Sequence, residues 1–132
     1  MNIKITGSGS YIPEIIVSNL DFSKHHFMNE DGTPFAYSNE TVIEKFKGIT
    51  GIDERRYAEP SVITSDMAYL ASDKAIKNAG IDPESLDYII VAHNFGDIKS
   101  GTIQSDALPC LAARVKNKLQ IQRSFIGVLG FW

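Results

Sequence analysis

The chain lacks the features that define several common classes of protein. It holds 132 residues with a single cysteine, so no internal disulfide can form, and this suits a reducing cytoplasm. Its formal net charge is -3, and no basic surface is offered to a nucleic-acid backbone. No apolar run reaches the roughly 18 residues of a membrane span, and the N-terminus lacks the pattern of a signal peptide. We expect a cytoplasmic protein that has neither nucleic acid nor a membrane as partner.

What the chain does contain is an alternation of strand and helix patterns, with 43% hydrophobic residues. Short strands are predicted at Asn2–Thr6, where polar and apolar residues alternate, and at Leu86–Ala92, a β-branched run typical of buried parallel sheets. A further apolar run begins near Ser124. Residues 22–38 are polar and predict a surface loop with a turn at Asp31-Gly32. Ile52–Tyr57 is charged and predicted to be extended.

Three helices are predicted from apolar periodicity and from residues that start or stop helices. They span Glu40–Lys47, capped by Asn39 and stopped by Gly48; Ser65–Ala79, capped by Thr64 and stopped by Gly80; and Pro109–Leu119. The second helix carries a row of alanines that predicts close packing on a sheet. Strands that alternate with helices favour an α/β layer with right-handed crossovers.

Several motifs invite a functional interpretation that the local pattern does not support. Gly7-Ser8-Gly9 follows a predicted strand, but a dinucleotide fingerprint needs a third small residue where Ile12 stands, so a structural glycine turn is favoured. His25-His26 lie in a polar loop without further ligands at metal spacing, and we expect no metal site. His93-Asn94 follow a strand end, where α/β sites gather, but no nucleophile is visible nearby.

Cys110 is the only thiol, and it lies beside Pro109 at the start of a predicted helix. The positive end of the helix dipole would favour a reactive thiolate there. The alternative is a small residue packed on the inner face of the helix, where free cysteines usually lie. The second interpretation is favoured.

Five motifs in order resemble β-ketoacyl-acyl-carrier-protein synthase III, a thiolase-fold condensing enzyme. They are Gly7-Ser8-Gly9-Ser10-Tyr11-Ile12-Pro13-Glu14, Thr50-Gly51-Ile52-Asp53-Glu54-Arg55, the Ala-rich helix up to Gly80, the Leu86–Ala92 strand, and the Pro109–Leu119 helix. The similarity extends to Gln122. It implies an α/β thiolase-like fold: an N-terminal αβα half with a mixed, mostly parallel sheet that is incomplete at the C-terminus. We accordingly expect residues 1–132 to form one N-terminal thiolase-like domain, truncated before or at the nucleophile turn.

The resemblance implies an acyltransferase of fatty-acid biosynthesis that condenses an acyl thioester with malonyl-acyl carrier protein. In such enzymes a cysteine at a strand-to-helix turn takes the acyl group, and a His and an Asn from the second half of the fold assist. The implied partners of the complete enzyme are acyl carrier protein, acyl-coenzyme A as substrate and a second copy in a homodimer. No bound cofactor is expected.

This chain departs from the family pattern at the positions that would carry chemistry. Depending on the register, Val128 or Phe131 is nearest to the place of the catalytic cysteine, so no catalytic residue is assigned. Lys45 and Ile49 replace the Trp and Arg that hold the coenzyme A nucleotide in some family members. We therefore expect this chain alone to be inactive, and an unfinished sheet to promote self-association. A non-catalytic partner subunit is the alternative, and a nucleotide-binding module near Gly7–Tyr11 ranks third.

Overall fold

The computed structural model describes residues 2–106, 108–124 and 126–131. Backbone contacts group the chain into two compact units, a larger one formed by Met1–Ile12 with Ala58–Trp132 and a smaller one formed by Pro13–Tyr57. The single domain expected over residues 1–132 stays a prediction. Among the described helices, none combines the length and the apolar character that crossing a bilayer demands.

The smaller unit contains an antiparallel strand pair and one helix. Strand β1 (Ile15–Ser18) pairs with β2 (Glu54–Tyr57), which confirms the extended structure predicted around Ile52–Tyr57. Helix α1 spans Asn39–Thr50. Between β1 and α1, a short hairpin joins Met28 to Pro34 through the turn predicted at Asp31-Gly32.

Both predicted ends of α1 are wrong, for identifiable reasons. Ser38, not Asn39, is the N-cap, and its hydroxyl accepts a hydrogen bond from the Thr41 amide. The Asn39 side chain instead donates to the backbone oxygens of Ser23 and His25, both at 2.8 Å. Gly48 lies inside the helix, because Gly51 adopts the left-handed conformation (φ 67°) that ends a helix.

The larger unit is built around one parallel strand pair and two helices. Helix α2 spans Thr64–Ala79, β3 Tyr88–Ala92, α3 Leu111–Lys118 and β6 Gly127–Phe131, while β4 (Asp97–Ile98) and β5 (Ser105–Asp106) form a small antiparallel pair. Strands β3 and β6 run parallel from Tyr88 opposite Gly127 to Ala92 opposite Phe131. The two helices predicted in this unit and the predicted β3 are thereby confirmed to within two residues. Thr64 is not the N-cap of α2, as predicted, but its first residue; Ile63 is the N-cap, and its amide donates to the Asp66 side chain. Residues 125 and 132 of the predicted last strand lie outside the described residues.

The core of the larger unit lies between α3 and one face of the β3–β6 pair. Its buried members are Ile89, Ala112, Val115, Ile121 and Ile126. Side chains alternate across a strand, so the neighbours Tyr88, Ile90 and Leu129 remain more than half exposed. Parallel strands are ordinarily covered on both faces. The expected self-association stays a prediction, and the exposed apolar side chains of this sheet are the surface that would cause it.

Two sequence-based expectations about strands need correction. Asn2–Thr6 is not a strand, because within the described residues no other strand pairs with it, and Ile3 and Ile5 are both exposed. The described strands form three separate two-stranded sheets, one parallel (β3–β6) and two antiparallel (β1–β2 and β4–β5), so the single mixed, mostly parallel sheet that was expected is not found within the described residues. Strands β4 and β5 pair across a short segment that reverses direction, whereas β1 and β2 are joined through the long loop and α1.

The segment around Gly7 packs directly on the alanine row of α2. A Cβ atom at Gly7 would lie only 2.6 Å from the Ala75 carbonyl oxygen and 2.7 Å from the Ala79 Cβ. Two hydrogen bonds fasten the same segment, from the Ser8 amide to Asn78 Oδ1 and from Lys74 Nζ to the Ser10 oxygen. These glycines therefore have a packing role, as favoured over the dinucleotide-binding interpretation.

Substitution of Gly7 by alanine should loosen this packing. We expect Gly7→Ala to lower the free energy of unfolding by about 2 kcal/mol, because the added methyl group meets helix backbone atoms that cannot move aside. Gly48→Ala is the matched control: its Cβ meets nothing within 4 Å, and alanine in a helix should stabilise the smaller unit by roughly 0.5–1 kcal/mol. Amide hydrogen exchange in α2 distinguishes the two, and unchanged exchange in Gly7→Ala would contradict the packing role.

Candidate functional site

The candidate site lies at the carboxyl end of β3, the position where ligands bind in many α/β folds. Strand β3 ends at Ala92, opposite Phe131 at the end of β6, and residues 93–96 turn away from the sheet. A cleft of about 330 Å³ opens here between this turn and the start of α2. Its lining is mostly apolar and includes Ile63, Met67, His93, Asn94, Phe95 and Ile98.

His93 is held by the turn that follows β3. Its Nδ1 atom accepts a hydrogen bond from the Gly96 amide at 3.0 Å, so in the neutral ring the proton lies on Nε2. Gly96 has φ 77°, a left-handed conformation that favours glycine. The Thr64 hydroxyl in the same cleft donates to the Gly96 carbonyl oxygen at 2.8 Å. No cysteine is among the residues that line this cleft, so His93 and Asn94 face no thiol there.

Asp97 joins this turn to the N-terminus of α2 and to α3. Its carboxylate is almost fully buried, and Oδ1 accepts a hydrogen bond from the Ser65 amide at 2.7 Å. Oδ2 lies 3.4 Å from Arg114 Nη1. Arg114 also donates from Nε to the Pro109 oxygen and from Nη2 to the Leu108 oxygen. A buried carboxylate at a helix N-terminus, paired with a guanidinium, therefore fixes the turn beside the cleft.

A second ion pair connects the same two helices. Lys118 Nζ on α3 lies 2.6 Å from Asp66 Oδ1, in the first turn of α2. Burial alone would raise the pKa of Asp66, but the hydrogen bonds from Lys118 and from the Ile63 amide hold that pKa below its ordinary value. The pair consequently stabilises the folded chain above the unfolded pKa of Asp66, and this contribution is lost as the pH falls through the folded pKa.

Removal of the Asp97 carboxylate should be strongly destabilising. We expect Asp97→Ala to lower the free energy of unfolding by about 3 kcal/mol, because Arg114 loses a buried partner and α2 loses its cap. Asp106→Ala is the matched control, since Asp106 lies 3.8 Å from the same guanidinium but is half exposed, and it should change stability little. Urea unfolding of the two variants tests this, and equal effects would contradict the assignment.

Cys110 precedes α3 and does not approach the end of β6 through any described contact. It occupies the N-cap position, is partly buried and packs against the core cluster of Ile89, Ala112 and Val115. This confirms the interpretation of Cys110 as a packing residue.

Alkylation of Cys110 should therefore be slow. At neutral pH we expect iodoacetamide to label the folded chain at least about tenfold more slowly than the chain in denaturant, because partial burial limits access to the thiolate. Intact mass spectrometry over time measures both rates. Labelling of the folded chain as fast as in denaturant would make Cys110 a reactive group.

The two positions nearest to the expected nucleophile both lie on β6. Val128 is opposite Ile89 and packs against the core cluster, so its side chain has a structural role. Phe131 is the last residue of β6, opposite Ala92, at the same sheet edge as the cleft. Neither residue type can act as a nucleophile, and catalytic residues stay unassigned. Within the described ranges, no group of three His, Cys, Asp or Glu residues is arranged to hold a metal ion.

The two positions expected to replace nucleotide-binding residues lie on α1, in the smaller unit. The Lys45 ammonium lies 3.9 Å from the centroid of the Tyr37 ring, a cation–π geometry. Ile49 is 80% exposed and contributes an isolated apolar side chain to the helix surface. Sequence reasoning missed Tyr37, and the only available signal was an aromatic residue inside a polar loop.

Solved structures with a similar backbone are condensing enzymes. The 3-oxoacyl-[acyl-carrier-protein] synthase III of Aquifex aeolicus matches 96% of this chain and 34% of its own, with TM-score 0.66 and 26% identity. The priming β-ketosynthase of the R1128 polyketide pathway matches 96% of this chain and 31% of its own, with TM-score 0.70 and 25% identity. The fold is that of thiolase-like condensing enzymes, as the resemblance implied.

Sequence comparison shows which condensing enzymes this chain resembles in sequence. The β-ketoacyl-[acyl-carrier-protein] synthase III of Staphylococcus aureus strain JH1 is 42% identical over 103 residues, which is 78% of this chain and 29% of the relative. The chain is thus a relative of β-ketoacyl-[acyl-carrier-protein] synthase III, and it spans less than a third of the length of the relative it matches. No protein-family model matches the chain.

Proposed function

We propose that this sequence is part of a 3-oxoacyl-[acyl-carrier-protein] synthase III. The complete enzyme would transfer an acyl group from acyl-coenzyme A and condense it with malonyl-acyl carrier protein in fatty-acid biosynthesis. The observation that carries the proposal is the 42% identity to the S. aureus enzyme over 78% of this chain. The two structural relatives, which are condensing enzymes of the same fold, support it.

The chemistry proposed for the complete enzyme is covalent catalysis. A thiolate attacks the acyl thioester and releases coenzyme A, and the acyl-enzyme is then attacked by the malonyl carbon as carbon dioxide leaves. Division into two steps makes each barrier lower, and a thiolate is favoured at a helix N-terminus. The part of this site that the present chain supplies is the carboxyl edge of the β3–β6 pair and the turn that Asp97 and Arg114 fix beside it.

The proposal extends to the setting of the complete enzyme. We place it in the cytoplasm as a homodimer that receives acyl-coenzyme A as a substrate and acyl carrier protein as a partner, without a resident cofactor. The single cysteine, which excludes an internal disulfide framework, supports the compartment. The family resemblance supports the partners.

The chain alone is proposed to be inactive in condensation, because its one cysteine, at the N-cap position of α3, packs against the core. Incubation with radiolabelled acetyl-coenzyme A and malonyl-acyl carrier protein should give neither an acylated protein nor a condensed product. The S. aureus synthase III is the positive control, and Cys110→Ser reports adventitious labelling. A labelled protein that forms condensed product would contradict this part of the proposal.

A chimera tests whether this chain can form the N-terminal part of an active synthase III. Residues 1–122 of this chain would replace the matching residues of the S. aureus enzyme, which supplies its own nucleophile and second half. We expect measurable condensation of acetyl-coenzyme A with malonyl-acyl carrier protein, and a loss of folded chimera when Asp97→Ala is added. A folded chimera without activity would count against the proposed function.

A non-catalytic partner subunit is the second candidate. The observation that favours it is the exposed face of the β3–β6 pair, where Tyr88, Ile90 and Leu129 would be covered by another chain. Co-purification of this chain with an active synthase, together with a changed acyl-chain preference of that synthase, would favour this candidate over the first.

A further inference from the structure

The segment that leads from α3 into β6 is fastened to one carboxylate, that of Glu84. Oε1 of Glu84 accepts a hydrogen bond from the Gln122 amide at 2.6 Å, and Oε2 accepts one from the Arg123 amide at 3.0 Å. The two donors lie 38 and 39 positions further along the chain. Hydrogen bonds to an ionised carboxylate are roughly twice as strong as those between neutral groups. Glu84 therefore connects the approach to β3 with the approach to β6.

Glu84 is itself held in a defined position before β3 begins. It lies in one turn of 3-10 helix, Pro83–Ser85, which Asp82 caps. The Glu84 amide donates to Asp82 Oδ1 at 2.9 Å, and the Leu86 amide donates to the Pro83 oxygen at 3.2 Å. The partly buried carboxylate is thus presented from a hydrogen-bonded turn, which holds both acceptors in place for the amides of residues 122 and 123.

The apolar pattern of β6 does not by itself fix how the strand is aligned with β3. A slip of one residue is excluded, because it would move Val128 from the core to the open face of the pair. A slip of two residues keeps every side chain on its own face, and it would place Ile126 opposite Ile89. Val128 would then lie opposite Val91, which in the structure lies opposite Gly130. Burial of apolar side chains therefore does not favour the observed register over the slipped one.

The Glu84 hydrogen bonds oppose this slip because they lie close to the start of β6. The first residue of the strand, Gly127, donates from its amide to the Asp87 oxygen at 2.9 Å. A slip of two residues would carry β6 about 6.6 Å along β3 and bring residue 125 to the place of Gly127. With residues 122 and 123 fastened, residue 124 alone would have to span the distance that residues 124–126 span in the structure.

We propose that Glu84 is a positioning residue that fixes the register of β6 on β3. Because β6 ends at the edge of the cleft, its register sets where the chain after β6 leaves the sheet. In the proposed enzyme the nucleophile lies on a strand-to-helix turn of this kind, so the consequence for catalysis rests on the proposed function. A misplacement of about 1 Å can lower a rate roughly 100-fold, and the slip would be several times larger.

Engineered disulfides measure the register in the full chain. On a Cys110→Ser background, Ile90→Cys with Leu129→Cys joins residues that lie opposite each other in the structure. Ala92→Cys with Leu129→Cys joins residues that become opposite after the slip. In the observed register this second pair is offset by two residues, with Cα atoms about 8 Å apart, which is too far for a disulfide. The equilibrium constant for closing each disulfide in a glutathione buffer is measured by mass spectrometry.

Glu84→Gln should favour the slipped register, since the glutamine amide offers one oxygen acceptor and turns a donor toward the second amide. We expect the ratio of the slipped to the observed closing constant to rise at least about fivefold, and at least as much in Glu84→Ala. Circular dichroism shows that each chain compared is folded, and a change in stability alone then leaves this ratio unchanged. An unchanged ratio in both variants would overturn the proposal.

Two matched controls separate the Glu84 carboxylate from charge in general. Asp87→Asn removes the exposed ion pair between Asp87 and Arg123, whose charged atoms lie 3.3 Å apart. Glu59→Gln makes the same chemical change as Glu84→Gln at an exposed position of the larger unit. Both should leave the ratio within about twofold of the original chain, because exposed charges contribute little. An equal rise in either control would contradict the role assigned to Glu84.

Kinetics of the chimera then show whether the register matters for the proposed reaction. Glu84→Gln should lower kcat for condensation at least about tenfold and leave KM for acetyl-coenzyme A within about twofold, because the nucleophile is displaced while the rest of the substrate site is not. An unchanged kcat in an active chimera would remove the catalytic consequence of the register. An inactive chimera with Glu84 intact would instead count against the proposed function, and the disulfide ratio still decides whether Glu84 fixes the register.

Discussion

The packing of α3 against the β3–β6 pair is the constraint on which the larger unit depends. Ala112 and Val115 are completely buried there, in contact with a cluster that includes Ile89 on β3 and Ile126 just before β6. Burial of each large aliphatic side chain contributes about 1.5–3 kcal/mol. Since β3 and β6 share only a two-stranded ladder, which is marginal by itself, this helix is what gives the pair a defined position. The cleft at the end of β3 inherits its geometry from that contact.

Polar contacts of Asp97 and Arg114 then position the turn after β3, which lines the cleft. The Arg114 side chain on α3 is only 19% exposed. Its guanidinium reaches the Asp97 carboxylate and two backbone oxygens of the loop before α3. Asp97 in turn caps α2. One ion pair thus couples the starts of two helices to the turn after β3, so the residues around His93 are positioned by α2 and α3 together.

Local patterns were sufficient to predict α2, α3 and β3. Gly80 ends α2 in the left-handed conformation, and the β-branched run of β3 is buried on one face, so periodicity and turn chemistry carried the information. The same reasoning failed at Asn2–Thr6, because alternation shows that a segment can be a strand but not that a partner is available. It failed at Gly48 because two glycines lie near the end of α1, and the sequence alone does not show that Gly51, three residues later, is the one that ends the helix.

The site was less predictable than the fold, since its contacts join residues that are distant in sequence. Asp97 and the Ser65 amide are 32 positions apart, and neither a motif nor a period connects them. The placement of Cys110 could be anticipated, because a small apolar residue before a helix has a common packing role. The resemblance to condensing enzymes gave the fold, whereas the departures at Lys45 and Ile49 required the structure to show that an aromatic ring from the loop now accompanies the lysine.

The contact between Gly7 and α2 has a consequence for how sequence can vary in this protein. The N-terminal segment follows a path set by the surface of a helix, since the described residues provide no ladder of hydrogen bonds to guide it. The size of the side chains at positions 75 and 79 is consequently limited by the N-terminal segment, which lies far from α2 along the chain. A larger residue on that row can be accommodated only if the first dozen residues shift as a body, which couples the evolution of the helix to that of the N-terminus.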